Sequence, residues 1–275
     1  MNSIKVLRLI RRLGLTVQAK RVRRVLQRFS LWPRKGFGYP HRDIAYMMLS
    51  GRGLEVGALN FPAKVPSGCN MEYCDTHTKE ESAAIYPEVE SRSLVHVNHV
   101  IDLDTGSLSK IPGCPYDFVI MNHVIEHVAC PIAVVEQLFS VLKDDGILVI
   151  SAPDKEFCFD KNRPLTTFEH LLDEYHRGVN HVEDSHYLDL IQHIHPDIFF
   201  GEDDVARSNL LKLVRSRREH AHVWNSQSFI EFFQLSLAHL GLNASILFES
   251  TASENDLECL IVARKISGNY SIPNN

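Results

Sequence analysis

The residues best suited to chemistry in this chain crowd into one short stretch. Asn122, His123, Glu126 and His127 follow directly on the apolar run Phe118-Val119-Ile120-Met121. His123 to His127 spells H-x-x-E-H, in which two imidazoles on one helical face can share a zinc ion while the glutamate serves as base. That reading needs a helix long enough to present both histidines, and a third ligand. Pro131 follows too closely to leave room for it. The competing reading places the same residues where a buried strand ends. His123 then opens a cleft, Glu126 lies in the first turn of a helix where its charge is favoured, and His127 is a packed, satisfied histidine. On that reading no metal ligands are assigned, and a zinc hydrolase is the lesser alternative.

Other acids recur at corresponding places upstream. Glu55 and Gly57 close the run Leu54-Glu55-Val56-Gly57, Asp75 follows Glu72-Tyr73-Cys74, and Asp102 and Asp104 follow the apolar stretch at 95–101. The elements that must carry these residues alternate. A helix is expected over 44–49, strands over 54–57, 71–74, 95–101, 117–121 and 146–151, and helices between them. Such alternation predicts a doubly wound α/β fold, a mostly parallel sheet covered by helices on both faces, with ligands at the carboxyl ends of the strands. A helix over 226–240, stopped by Gly241, precedes two strands over 244–249 and 257–264. Their connection is too short for a crossover, so they form an antiparallel edge hairpin and complete a seven-stranded sheet. Residues 154–222 are polar, aromatic and His-rich, and read as a mainly helical insertion. The expected division is therefore a basic extension and linker over 1–42, a core over 43–153, the insertion over 154–222, and a closing helix and hairpin over 223–266.

Composition bounds the function. With 44% hydrophobic and 23% charged residues over 275 positions, a soluble globular chain with a sizeable core is expected. Six scattered cysteines without a C-x-x-C pair, and no clean apolar leader, favour a reduced cytoplasmic protein. The net charge of -5 hides an asymmetry: residues 1–42 hold 12 of the 29 Lys and Arg and none of the 34 Asp and Glu. The remaining body is acidic, which disfavours nucleic acid as a partner. The basic segment, with apolar stripes at Val6, Leu9, Ile10 and Leu13 and at Val22, Val25, Leu26 and Phe29, reads as one or two helices. These either pack on the body or touch an anionic membrane surface through residues 1–35. No G-x-S-x-G elbow or P-loop is present, which argues against hydrolase and nucleotidase functions.

The ordered set LEVG (54–57), EYCD (72–75), DFVIMNHVIEHV (117–128) and KDDGILVISAP (143–153) resembles the class I S-adenosylmethionine-dependent methyltransferases with a Rossmann-like fold. The run 153–175 further resembles a bacterial branch linked to surface-polysaccharide synthesis. The resemblance implies S-adenosyl-L-methionine as cofactor and a small-molecule or carbohydrate acceptor, methylated on oxygen. It implies that Gly57 and Ala58 let the backbone approach the cofactor, that Glu55 faces its ammonium, and that Asp75 accepts the ribose hydroxyls. Asp102, or nearby Asp104, would accept from the adenine amino group, and Asn122 and His123 would lie by the sulfonium. One departure stands out. The usual acid-x-Gly-x-Gly-x-Gly loop is here Glu55-Val56-Gly57-Ala58-Leu59-Asn60-Phe61, with only the first glycine. The loop is expected to be rebuilt, and the lesser reading is an inactive scaffold at a membrane glycan-assembly complex.

Eight of the 15 histidines fall within 154–222. Methyl transfer to a hydroxyl needs a proton acceptor, and an imidazole suits it. His123 is the first candidate base from its strand-end position, followed by His181, His186 and His222. Arg163 and Arg177 are candidates for holding an acidic acceptor.

Overall fold

The computed structural model describes residues 17–18 and 39–266. The two basic helices expected before residue 39 lie outside the described residues. Val17–Gln18 is an exception to the helical expectation: it is a two-residue strand, β1, between the two apolar stripes. The remaining strands are β2 (Arg52–Val56), β3 (Asn70–Asp75), β4 (His99–Val100), β5 (Tyr116–Asn122), β6 (Leu142–Pro153), β7 (Ala244–Ser250) and β8 (Glu258–Lys265). They form one sheet in the order β1-β7-β8-β6-β5-β2-β3-β4. Every pairing is parallel except the two made by β8, which inserts antiparallel between β6 and β7. The hairpin thus closes the seven-stranded sheet, and β1 adds a short parallel strand outside β7.

Alternation on the central strands decides the two faces. Val119 and Met121 of β5, with Leu148 and Ile150 of β6, point into a core shared with α3 (Pro131–Ser140) and α8 (Ser226–Leu240). Phe118, Ile120, Ile147 and Val149 point the opposite way, against Ile44, Ala45 and Tyr46 of α1 (Pro40–Tyr46). Both central strands are buried on both faces, which is why they read as continuous apolar runs. Helix α8 has a capping box at Asn225 and Ser228 and ends at Gly241, whose φ of 63° lets the chain leave in the left-handed conformation.

Three expected boundaries moved. The first helix begins at Pro40, ahead of 44, because proline is pre-set for the first helical position. The strand expected over 95–101 shrinks to His99–Val100, because the Val95 N–H bonds the Leu59 carbonyl in the loop after β2 instead of joining the sheet. Strand β6 starts earlier than expected, at Leu142, with a register shift that absorbs the turn residues Lys143 to Gly146. The segment between β6 and α8 is mainly helical: α4 (Phe168–Arg177), α5 (Asp184–Ile194), α6 (Pro196–Phe199) and α7 (Asp204–Ser216). Two further short helices lie outside it, α2 (Lys79–Ile85) after β3 and α9 (Ala252–Asn255) between β7 and β8.

Candidate active site

Chain order reverses between β2 and β5: β3 and β4 extend the sheet on one side, β6 and β8 on the other. Ligands of open parallel sheets sit at this switch point, beyond the carboxyl ends of the strands. The turn after β2 lies there. Gly57 has φ 72°, and its N–H bonds the Cys74 carbonyl at 2.9 Å. A Cβ at Gly57 would stand 2.3 Å from Val124 Cγ2, so the missing side chain also lets the loops after β2 and β5 close on each other.

The glycine-poor loop is rebuilt around Glu55. Its two carboxylate oxygens share the Ala63 N–H at 2.9 and 3.0 Å, folding the chain back over the strand end. Leu59 takes φ 46° where the usual loop has glycines, and Phe61 N–H closes a turn on the Ala58 carbonyl. Ala58 itself is buried in this turn. Burial pushes the Glu55 carboxyl up to about 7, against the Ala63 hydrogen bond and the charge of Arg42. Glu55 is thus an anchor for the loop, with both oxygens already engaged.

On the other side of the switch point, Asn122 ends β5 with its amide donating to Tyr46 and its oxygen accepting from Ser151. His123 follows at φ 53°, in the left-handed region, which turns its ring away from the strand direction. Its Nε2 lies 2.9 Å from Glu258 Oε2, at the start of β8. Glu258 is fully buried and fully engaged. Arg42 grips both oxygens at 2.7 Å, and His41 Nε2 reaches Oε1 at 2.5 Å. Burial opposes this charge, but the hydrogen bonds from Arg42, His123 and His41 overcome it and hold the carboxyl well below the usual range. An ionised Glu258 can only accept, so His123 Nε2 donates to it, and the lone pair of the neutral ring falls on Nδ1. Nδ1 makes no hydrogen bond among the described residues, and the side chain is 31% exposed.

At the end of β3, Asp75 accepts from Thr76 N–H at 2.7 Å and makes no side-chain hydrogen bond among the described residues. Burial raises its pKa, and the backbone N–H groups of Thr76 and His77 oppose the rise. Such a carboxylate retains lone pairs for two hydroxyl donors, which fits a ribose. Beyond β4 the two acids already have partners. Asp102 is bound by Arg218, with Nη1 to Oδ1 at 3.0 Å, and Asp104 accepts from the Ala129 N–H at 2.8 Å. Arg218 therefore shares these carboxylates, which keep further acceptor capacity. Arg218 and Asp104 line a cleft of about 790 Å³ with His181, Tyr187 and Arg215. His181 is exposed in this cleft, on the β4 side of the switch point, whereas His123 stands on the β8 side.

The other candidate bases are used for packing. His186 bonds the Ala221 carbonyl through Nδ1 at 3.1 Å and Glu174 through Nε2 at 2.8 Å. His222 is buried with Nε2 on the Val128 carbonyl. Burial, then the neighbouring His186 and His170, hold it well below the ordinary imidazole range. Neither ring is open to an acceptor. Arg163 is also buried, donating to Asp160, Asp189 and the carbonyls of His220 and Ala221, so it holds the insertion together and binds no substrate. Arg177 is paired on the surface with Asp173 and Glu183.

The H-x-x-E-H letters do not make a zincin helix. Only Ile125–His127 is helical, as a single 3-10 turn, and Pro131 starts α3. His123 turns to Glu258 while His127 bonds the Arg218 carbonyl. Glu126 lies in the first turn of that short helix, as expected, and is fully buried there.

Glu258, Arg42, His41 and Tyr46 were not singled out from sequence. One signal was present: Glu258 opens the otherwise apolar strand Cys259-Leu260-Ile261-Val262-Ala263, and a buried carboxylate demands a cationic partner. Arg42 supplied it, but from residues 1–42, which read as an extension.

Residues 20–235 match the model of a family described as methyltransferase domain. No curated protein matches the chain in sequence. Among solved structures, N-methyltransferase NodS from Bradyrhizobium japonicum WM9, in complex with S-adenosyl-L-homocysteine, is 11% identical with a TM-score of 0.43, covering 83% of this chain and 86% of NodS. An O-methyltransferase family protein from Burkholderia thailandensis is 11% identical with a TM-score of 0.43, covering 90% of this chain and 58% of its own. The CurJ carbon methyltransferase is 14% identical with a TM-score of 0.41; the match covers 79% of this chain, which spans about half, 49%, of CurJ. With the strand order in place, the family match settles the assignment: the chain belongs to the methyltransferase-domain family and is a methyltransferase dependent on S-adenosyl-L-methionine.

Proposed function

We propose that the enzyme methylates an oxygen of a small-molecule or carbohydrate acceptor, with His123 taking the acceptor's proton. The observation that carries this reading is the His123–Glu258 pair at the switch point. A buried, ionised glutamate fixes the tautomer and leaves Nδ1 as a partly exposed proton acceptor. S-adenosyl-L-methionine supplies a methyl group on a sulfonium, so the protein needs no nucleophile of its own. Asp75 would hold the ribose, and the turn at Gly57 would let the backbone approach. Asn122, fixed between Tyr46 and Ser151, shapes the floor beside His123. The chain's remaining work is to orient the acceptor, exclude water and remove one proton.

The link to surface-polysaccharide synthesis is supported by the sequence resemblance over 153–175. A peripheral contact with an anionic membrane is supported by the 12 basic residues of 1–42. Vesicle co-sedimentation that survives deletion of residues 1–35 would remove the membrane contact.

The deciding experiment combines calorimetry with S-adenosylhomocysteine and a turnover assay over hydroxyl-bearing acceptors. His123→Ala should abolish turnover with affinity for S-adenosylhomocysteine unchanged, and Asp75→Ala should lose that affinity. Full turnover in His123→Ala refutes the base assignment, and equal affinity in Asp75→Ala refutes the cofactor cleft.

A further inference from the structure

Glu126 poses a charge problem that the methyl-transfer site does not use. Its side chain is 1% exposed, and neither carboxylate oxygen accepts a hydrogen bond from any described residue. A lone carboxylate buried in this way is costly unless positive charge lies beside it. Its neighbours are two imidazoles. His127 Nε2 stands 3.7 Å from Glu126 Oε1, and His220 Nε2 stands 3.9 Å from the same oxygen. The rings meet edge to face, with centroids 4.8 Å apart.

The outer nitrogens fix what the inner ones present. His127 Nδ1 donates to the Arg218 carbonyl at 2.5 Å. His220 Nδ1 donates to Asp160 Oδ2 at 2.6 Å, and Asp160 is itself held by Arg163. In its neutral form each ring therefore turns an Nε2 lone pair toward Glu126. One carboxylate oxygen and two imidazole nitrogens thus converge within 4.8 Å of one another. At 3.7 and 3.9 Å the pairs are too far apart for a proton to bridge as a hydrogen bond.

We propose that Glu126, His127 and His220 form a binding site for one divalent transition-metal ion of the zinc class. Two imidazoles and one carboxylate are the donor set such ions take. Atoms bonded to one tetrahedral zinc lie roughly 3.3–3.5 Å apart, so the two pairs made by Glu126, at 3.7 and 3.9 Å, need to close by only a few tenths of an ångström. The second shell is already in place, with a carboxylate behind one imidazole and a backbone carbonyl behind the other. The ion would tie the strap 218–222 to the turn after β5. That strap already bonds the turn through Ala221 and His222 N–H on the Glu126 carbonyl, and it carries Arg218 onto Asp102. The ligand pattern is Glu126-His127 plus a distant His220, not H-x-x-E-H, because His123 faces Glu258. The site is independent of the acceptor and of the base assigned above.

The test uses the full chain, stripped with chelator, dialysed and titrated with zinc chloride by calorimetry, with metal content measured on the product. One zinc per chain and a rise in melting temperature on reloading are expected, and cobalt(II) should give visible absorption from the same site. Glu126→Gln and His220→Ala should lose stoichiometric zinc while circular dichroism shows them folded. Asp160→Asn should weaken affinity by roughly 10–100-fold. Glu174→Gln, in the separate cluster of His170, Glu174 and His186, should keep zinc. Failure of the stripped wild-type chain to take up zinc or cobalt overturns the proposal. Zinc retained in Glu126→Gln but lost in Glu174→Gln overturns it as well, placing the ion on the other cluster.

Discussion

Gly57→Ala tests whether the switch-point turn is built as described. Gly57 has φ 72°, where an L-residue costs about 1–2 kcal/mol. The added Cβ would also sit 2.3 Å from Val124 Cγ2. Ordinary carbon–carbon contact is about 3.5–4.0 Å, so Val124 must move by more than an ångström, which adds about 1–3 kcal/mol of overpacking. The expected loss is therefore about 2–5 kcal/mol. Urea unfolding should show it as a lower midpoint at an unchanged slope. A double-mutant cycle with Val124→Ala separates the two causes. Removing Cγ2 should recover the overpacking share and leave the backbone share, giving a coupling of about 1–3 kcal/mol. Because Val124 adjoins His123, the single variant should also weaken S-adenosylhomocysteine binding, and the double variant should restore part of it. A loss below about 0.5 kcal/mol, or an additive cycle, refutes the argument, since surface substitutions without such features fall within that range.

Two further outcomes follow from buried carboxyls. Glu55 titrates near 7 in the folded chain against a reference of 4.5, so the native state binds the extra proton between these values. Its contribution is complete below pH 4.5 and is lost as pH rises through 7, about 3 kcal/mol over the window. Denaturation at several pH values should show a shallower slope in Glu55→Gln, and identical slopes would exclude Glu55 as the source. Glu258→Gln leaves the half-buried Arg42 without its countercharge and should cost about 3 kcal/mol. Where the variant is still folded, turnover should fall further than affinity for S-adenosylhomocysteine, because His123 loses the partner that fixes its tautomer. Equal falls in both would make Glu258 purely structural.

Pattern alone determined the fold class and much of its topology. The runs at 117–121 and 146–151 are apolar on both faces because both faces are buried, and that signature is local. The same holds for α8, whose cap at Asn225 and stop at Gly241 are written in neighbouring residues. The acids at strand ends were legible for a related reason, since the carboxyl end of a parallel strand is where its buried run must meet solvent.

What those acids do was not legible. Asp75 accepts only from neighbouring backbone N–H groups, whereas Asp102 is paired with Arg218, 116 residues away in sequence. His123, His186 and His222 are alike as letters. One is held by Glu258 with its other nitrogen unbonded among the described residues, and two are consumed by carbonyls and a glutamate in the interior. Hydrogen bonding and desolvation fall off within a few ångströms, so a side chain's protonation and availability depend on which distant segments fold against it. The sequence by itself set which residues can reach the strand ends. The tertiary contacts among residues 41–46, 122–127, 218–222 and 258 decided which of them remain free to act.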